Sequence, residues 1–120
     1  VALVFVDDNG ENSIGVASGA NAKLTPQDIE KAAPLIDSSS VVLLQLETPL
    51  DKVGRVVEIA YQKNAKIILN PAPAKEIPER LLEKLTVFTP NQSEAGQLSH
   101  IDVSDRVSSE KAARKLVRMG

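Results

Sequence analysis

Thr86-Val87-Phe88-Thr89-Pro90-Asn91-Gln92-Ser93-Glu94 is the stretch on which the fold turns. Val87 and Phe88 suit a short buried strand. Pro90 pushes Thr89 out of helical geometry, so the strand ends there. Asn91 then falls at a helix N-cap, with Glu94 three residues on, the spacing of a capping box. Two readings share this geometry. In one, Asn91 and Glu94 only cap the helix. In the other, a strand C-terminus feeding a helix N-terminus marks the rim where open α/β sheets take ligands. Residues at i and i+3 share a helix face, so the two side chains can converge there. A helix N-terminus favours phosphate, and a carboxylate beside phosphate calls for Mg²⁺ to share the site.

The same grammar occurs twice upstream. Val41-Val42-Leu43-Leu44-Gln45-Leu46 is a near-continuous apolar run that ends on Glu47. Such a run predicts a strand buried on both faces. Lys66-Ile67-Ile68-Leu69 ends on Asn70, and the two prolines of Asn70-Pro71-Ala72-Pro73-Ala74 exclude helix or central strand beyond it. Helical patterns separate the strands. Thr25-Pro26-Gln27-Asp28 reads as a helix start that Pro34 ends. Thr48-Pro49-Leu50-Asp51 repeats that signal, and Leu50, Val53, Val57, Ala60 and Tyr61 form an apolar stripe that stops at Asn64. A short helix is predicted around 78–84, a linker over 100–107 and a last helix over 108–118. Lys115 and Arg118 lie near its C-terminus, where cations suit the dipole. Alternation of this kind implies an α/β fold with a mainly parallel sheet and right-handed crossovers, a three-layer α/β/α arrangement. Parallel strands end on one rim, so Glu47, Asn70, Asn91 and Glu94 are expected to face one cleft.

The first sixteen residues break the alternation. Val1–Val6 is strand-like, Asp7-Asp8-Asn9-Gly10 is a turn, and Glu11–Val16 returns antiparallel. Two strands alone are marginal in water, so the hairpin is expected to act as a lid or an interface. Residues 1–17 are therefore set apart from a core over 18–120. A strand that begins at the first residue, with no initiator Met, reads as a piece of a longer protein.

Bulk properties narrow the function. With 120 residues, 42% of them apolar and 25% charged, the chain can build one modest core. A net charge of −2 offers no basic footprint, so nucleic acid is not an expected partner. The absence of Cys excludes disulfides and thiolate chemistry, and a single His excludes the usual structural zinc sets. No apolar run reaches membrane-spanning length and no leader is visible, which fits a cytoplasmic protein without a membrane partner. Neither Gly-x₄-Gly-Lys nor Gly-x-Gly-x-x-Gly occurs. His100, the Asp7-Asp8 turn, the Ser38-Ser39-Ser40 cluster and the basic face of Lys111, Arg114, Lys115 and Arg118 read as solvated surface.

Five segments, in this order, carry a resemblance: 1–6 with Gly10-Glu11-Asn12 and Ile14-Gly15; Gly19-Ala20-Asn21-Ala22; Gln45-Leu46-Glu47-Thr48-Pro49-Leu50; Asn70-Pro71-Ala72-Pro73-Ala74; and Thr89-Pro90-Asn91-Gln92-Ser93-Glu94. Together they resemble the central part of the ribokinase-like (PfkB) family of sugar kinases, across essentially the whole chain. The resemblance implies transfer of the ATP γ-phosphoryl group to O5 of D-ribose or a related sugar. It implies an α/β/α sheet with a small β lid that also forms homodimers. Ala2, Val4 and Val16 match lid positions that pack on the sugar. Glu47 matches the carboxylate that accepts hydrogen bonds from its hydroxyls. Asn91 and Glu94 match the pair that organises Mg²⁺ and the ATP phosphates through water. Asn70 lies near the same cleft by analogy. A monovalent cation can accompany Mg²⁺ in such kinases. Two departures stand out: His100 where the family often carries Gly, and Val4 and Val16 in place of bulkier Ile. The family's Gly-Gly-Lys-Gly and Gly-Ala-Gly-Asp motifs do not occur here, so these 120 residues alone are expected to be inactive. The alternative is a non-catalytic α/β binding or scaffold domain.

Overall fold

The computed structural model describes residues 1–38 and 40–120, so Ser39 of the predicted serine turn lies outside the described residues. Its element order is β1 (Ala2–Val6), β2 (Asn12–Val16), a 3₁₀ turn (Asn21–Lys23), α1 (Pro26–Ala32), a second 3₁₀ turn (Ala33–Leu35), β3 (Val41–Leu44), α2 (Leu50–Gln62), β4 (Lys66–Leu69), α3 (Glu79–Leu82), β5 (Val87–Phe88), α4 (Gln92–Ser99) and α5 (Arg106–Arg118). The expected alternation is present. β3, β4 and β5 form a parallel sheet in that order, with Val42 opposite Ile67 and Leu69 opposite Phe88.

One face of that sheet carries the core. Val42, Leu44, Ile67, Leu69 and Phe88 share it, and Val53, Val57 and Ala60 of α2 pack against it with Leu81 and Leu82 of α3. Leu46, just past β3, is fully buried in the same cluster. Burying a leucine this way contributes about 1.5–3 kcal/mol over leaving it in water. The opposite face departs from the expectation for the 41–46 run. Val41 and Leu43 are 55% and 72% exposed, and the strand ends at Leu44. The physical reason is that the core cluster covers one face of β3 only, so its apolar residues alternate between core and surface. The α2 stripe also differs at its end. Ile59 is buried, whereas Tyr61 lies on the surface with Lys84 Nζ 5.6 Å from its ring centre.

Local signals set the helix ends. The Thr25 side chain accepts from Asp28 N, and Asp28 Oδ2 accepts from Thr25 N at 3.0 Å, with Pro26 at the first helical position. α2 starts after Pro49, which stands at its N-cap without a side-chain bond, so Thr48 does not cap it. Asn64 adopts φ 57°, in the left-handed region, and stops the helix as expected. α5 begins two residues earlier than predicted. Asp105 caps it by accepting from Ser108 N at 2.7 Å, while the Ser108 hydroxyl accepts from Asp105 N at 3.0 Å. Residues 21–23 form a 3₁₀ turn.

β1 and β2 pair as an antiparallel hairpin, Ala2 opposite Val16 and Val4 opposite Ile14. Ala2, Val4, Ile14 and Val16 therefore share one face, and Leu3 and Phe5 the other. These apolar side chains are exposed on both faces. The hairpin forms a sheet of its own, separate from β3–β4–β5.

Candidate functional site

The parallel sheet brings its strand ends to one rim. Past β3, Leu46 N donates to Ala72 O at 3.0 Å, and Lys75 Nζ donates to Leu46 O at 2.6 Å. These two bonds clip the 45–49 loop to the 70–75 loop on either side of a buried leucine. Past β4, Asn70 N donates to Leu44 O at 2.9 Å, so the half-buried Asn70 still belongs to the ladder. Past β5, Thr89 N donates to Leu69 O at 3.0 Å. The result is an open cleft of about 610 Å³ at the C-terminal ends of the strands. Its polar lining is Asn21, Gln45, Glu47, Thr48, Lys52, Asn70 and Thr89; Leu24, Leu43, Val56 and Ile68 are among its apolar residues.

Glu47 stands exposed at this cleft, and its Oε2 accepts from Asn21 Nδ2 at 3.2 Å. No other hydrogen bond to its carboxylate is present among the described residues, so it retains open acceptor capacity. Lys52 also borders the cleft, ion-paired with Asp51 on its own helix. That contact holds the Asp51 carboxyl below its ordinary range, chiefly through the hydrogen bond from Lys52.

The expected rim is only partly assembled. Glu47 and Asn70 line one cleft, with Thr89 beside them, whereas Asn91 and Glu94 are not among its lining residues. Both are turned into the start of α4. Asn91 Oδ1 accepts from Glu94 N at 2.9 Å, and Glu94 Oε2 accepts from Asn91 N at 2.8 Å. The helix-capping reading of this pair therefore holds in full. Glu94 is nearly buried, which is unusual for a carboxylate and is supported here by its bond from the backbone. Its Oε1 and the exposed Asn91 remain for a second partner. Among the described residues no group of three or more His, Cys, Asp or Glu could hold a metal directly. Mg²⁺ keeps most of its water shell beside phosphates, so one carboxylate reaching it through water fits its chemistry.

Ala2, Val4 and Val16 line none of this cleft; they sit on the hairpin's shared face. His100 adopts φ 53° at the C-cap of α4, exposed to solvent. Gly is the residue that takes this conformation at no steric cost, so His100 carries backbone strain at this position. Sequence reasoning had Asn21 within a motif without a role, and it missed Thr89 and Lys52. The pairing of Asn21 with Glu47 spans 26 positions, and no local signal encodes it. No helix among the described residues is long and apolar enough to cross a membrane.

The family model described as pfkB family carbohydrate kinase matches residues 1–120. The bifunctional ribokinase/ribose-5-phosphate isomerase A of Fructilactobacillus sanfranciscensis is 44% identical over 107 residues, covering 89% of this chain and 20% of that protein. The deoxyribokinase of Salmonella typhi is 36% identical over 121 residues, covering 100% of this chain and 40% of that protein. Among solved structures, Arabidopsis thaliana ribokinase complexed with ribose and ATP superposes with a TM-score of 0.78 at 26% identity, covering 99% of this chain and 39% of that one. The chain thus spans between a fifth and two fifths of the length of these relatives. The parallel sheet, the carboxylate at its rim and the family match over every residue agree: the chain belongs to the pfkB family of carbohydrate kinases.

Proposed function

We propose that these residues are the central segment of a sugar kinase that transfers the γ-phosphoryl group of ATP to O5 of D-ribose or a closely related pentose. The observation that carries this reading is Glu47, a carboxylate with open acceptor capacity at the strand-end cleft of a pfkB chain. A pentose presents adjacent hydroxyls, and a fixed carboxylate can accept from two of them. Binding a polyol this way is selective, because a sugar lacking the matching hydroxyl leaves the carboxylate desolvated and unpaired.

In this reading Ala2, Val4 and Val16 supply the apolar face that closes over the sugar and excludes water. Their exposure on one face of the hairpin supports that role. The opposite face, with Leu3 and Phe5, is left for a second copy, which makes the protein a homodimer through its lid. Asn91 and Glu94 hold the start of α4 so that its N-terminal amides meet the phosphates. The remaining Glu94 oxygen and Asn91 organise Mg²⁺ through water, and Asn70 contributes from the neighbouring strand end. Held there, Mg²⁺ would supply charge neutralisation on the phosphates. The O5–P bond forms as the bond to the β-phosphate oxygen breaks and ADP leaves. The O5 proton goes to a base outside these 120 residues, so the segment alone is inactive.

A coupled assay of ADP release tests the reading in the full-length protein that carries this segment. Ribose, 2-deoxyribose, fructose 6-phosphate and no sugar are compared in wild type and Glu47→Gln. Pentose-dependent turnover is expected, with the sugar KM raised about 10- to 100-fold in Glu47→Gln and the ATP KM within twofold, the loss of a charged hydrogen-bond acceptor. Well-folded protein with no sugar-dependent turnover contradicts the proposal and favours a non-catalytic binding domain.

A further inference from the structure

Asn21 lies in a turn built to aim its side chain. Gly19 adopts φ 51°, a left-handed conformation that glycine takes without steric cost. Ala20 follows at the N-cap of the 3₁₀ turn, whose backbone is closed by Asn21 N donating to Ser18 O and Lys23 N donating to Ala20 O, both at 3.0 Å. Leu24, half-buried, anchors the far side of the turn at the cleft, and the α1 capping box fixes the chain from Thr25 onward. The Gly19-Ala20-Asn21 sequence is thereby explained residue by residue: a left-handed corner, a small residue, then a donor. Facing a carboxylate, the Asn21 side chain can only present its NH₂, and Nδ2 donates to Glu47 Oε2 at 3.2 Å.

From this geometry we propose that Asn21 is a positioning residue for sugar binding, acting through Glu47; the inference rests on the sugar-kinase reading given above. A long, exposed glutamate samples many rotamers, and ordering it on binding costs free energy. Asn21 removes part of that cost beforehand by holding one carboxylate oxygen. The other oxygen is left to accept from the sugar. Lys75 and the Leu46–Ala72 bond fix the backbone of the same loop, so Asn21 supplies the side-chain half of the orientation. Asn21 also sits directly after the hairpin, four residues beyond the Ala17 amide that closes it on Val1 O. The contact therefore ties the hairpin's stem to the sugar-facing carboxylate.

The test is a double-mutant cycle in the full-length protein, with Asn21→Ala, Asn21→Asp, Glu47→Gln and Asn21→Ala/Glu47→Gln assayed for KM and kcat against sugar and ATP. Asn21→Ala is expected to raise the sugar KM about 3- to 10-fold, the worth of one ordinary exposed hydrogen bond, with the ATP KM unchanged. Asn21→Asp should raise it further, because it sets a second carboxylate against Glu47. In the Glu47→Gln background, Asn21→Ala should add less than twofold, since a neutral amide has replaced the carboxylate it orients. Thermal unfolding midpoints within about 2 °C of wild type exclude a folding defect, as expected for an exposed side chain. A silent Asn21→Ala, or an effect that multiplies fully with Glu47→Gln, overturns the positioning role while the sugar-kinase reading stands. Loss of all sugar dependence in wild type overturns both.

Discussion

His100 ends α4 with a backbone conformation that L-residues adopt at a cost of about 1–2 kcal/mol, while glycine loses about 0.5–1 kcal/mol of chain entropy when ordered. The first term exceeds the second, so His100→Gly is expected to stabilise the protein by about 0.5–1 kcal/mol in denaturant titration. A destabilised variant would show that the histidine ring makes a contact worth more than the backbone strain. Glu94 shows the limit of reading single residues. The sequence offered capping and ligand binding as rival roles, and the geometry fulfils the first with one carboxylate oxygen. A capping carboxylate retains a second oxygen, so the roles do not exclude each other. Glu47 is different: its place at a strand end points it to the cleft, but nothing in its local sequence names its partner there. Only the fold brings Asn21 to it, and that is why its neighbour in space carried no signal in the chain.

At the scale of elements, the legible features were those encoded within a turn or two of chain. Thr25, Pro26 and Asp28 fixed the start of α1, Asn64 the end of α2, and Asn91 with Glu94 the start of α4, because each cap is a contact between residues three or four apart. The start of α5 was read too late. Its box uses Ser108 at the third helical position, where Glu or Gln is the usual signature. The burial of β3 departs from expectation because a run of apolar residues does not say whether both faces of a strand are covered. The α5 cap makes a pH prediction. Hydrogen bonds from the Ser108 hydroxyl and then its amide hold the Asp105 carboxyl below its ordinary value of 3.8. The folded chain therefore binds this proton less tightly than the unfolded one, and the cap's contribution is full above about pH 4. It disappears as pH falls through the folded-state value. Asp105→Ala is thus expected to lower the melting midpoint at pH 6, with the gap from wild type closing on acidification below pH 4. A gap that persists unchanged in acid would show that the charge plays no part in the cap.

For the molecule as a whole, the order of five motifs along the chain specified the family, and the parallel β3–β4–β5 sheet with its strand-end cleft is the architecture that family membership requires. The convergence on that cleft was legible for Glu47 and Asn70, because parallel strands must end on one side. Asn91 and Glu94 lie outside that lining, with Asn91 on an adjoining cavity that shares Thr89 with the cleft. The exposed hairpin and the exposed face of β3 both await covering groups, and the kinase reading assigns the first to sugar and to a second copy. The decisive observation is the product itself. Phosphorus NMR of full-length protein turning over ATP and D-ribose should show a phosphate monoester on the C5 methylene, formed one for one with ADP. ADP formed without any sugar phosphate, or an ester at another hydroxyl, would contradict the account.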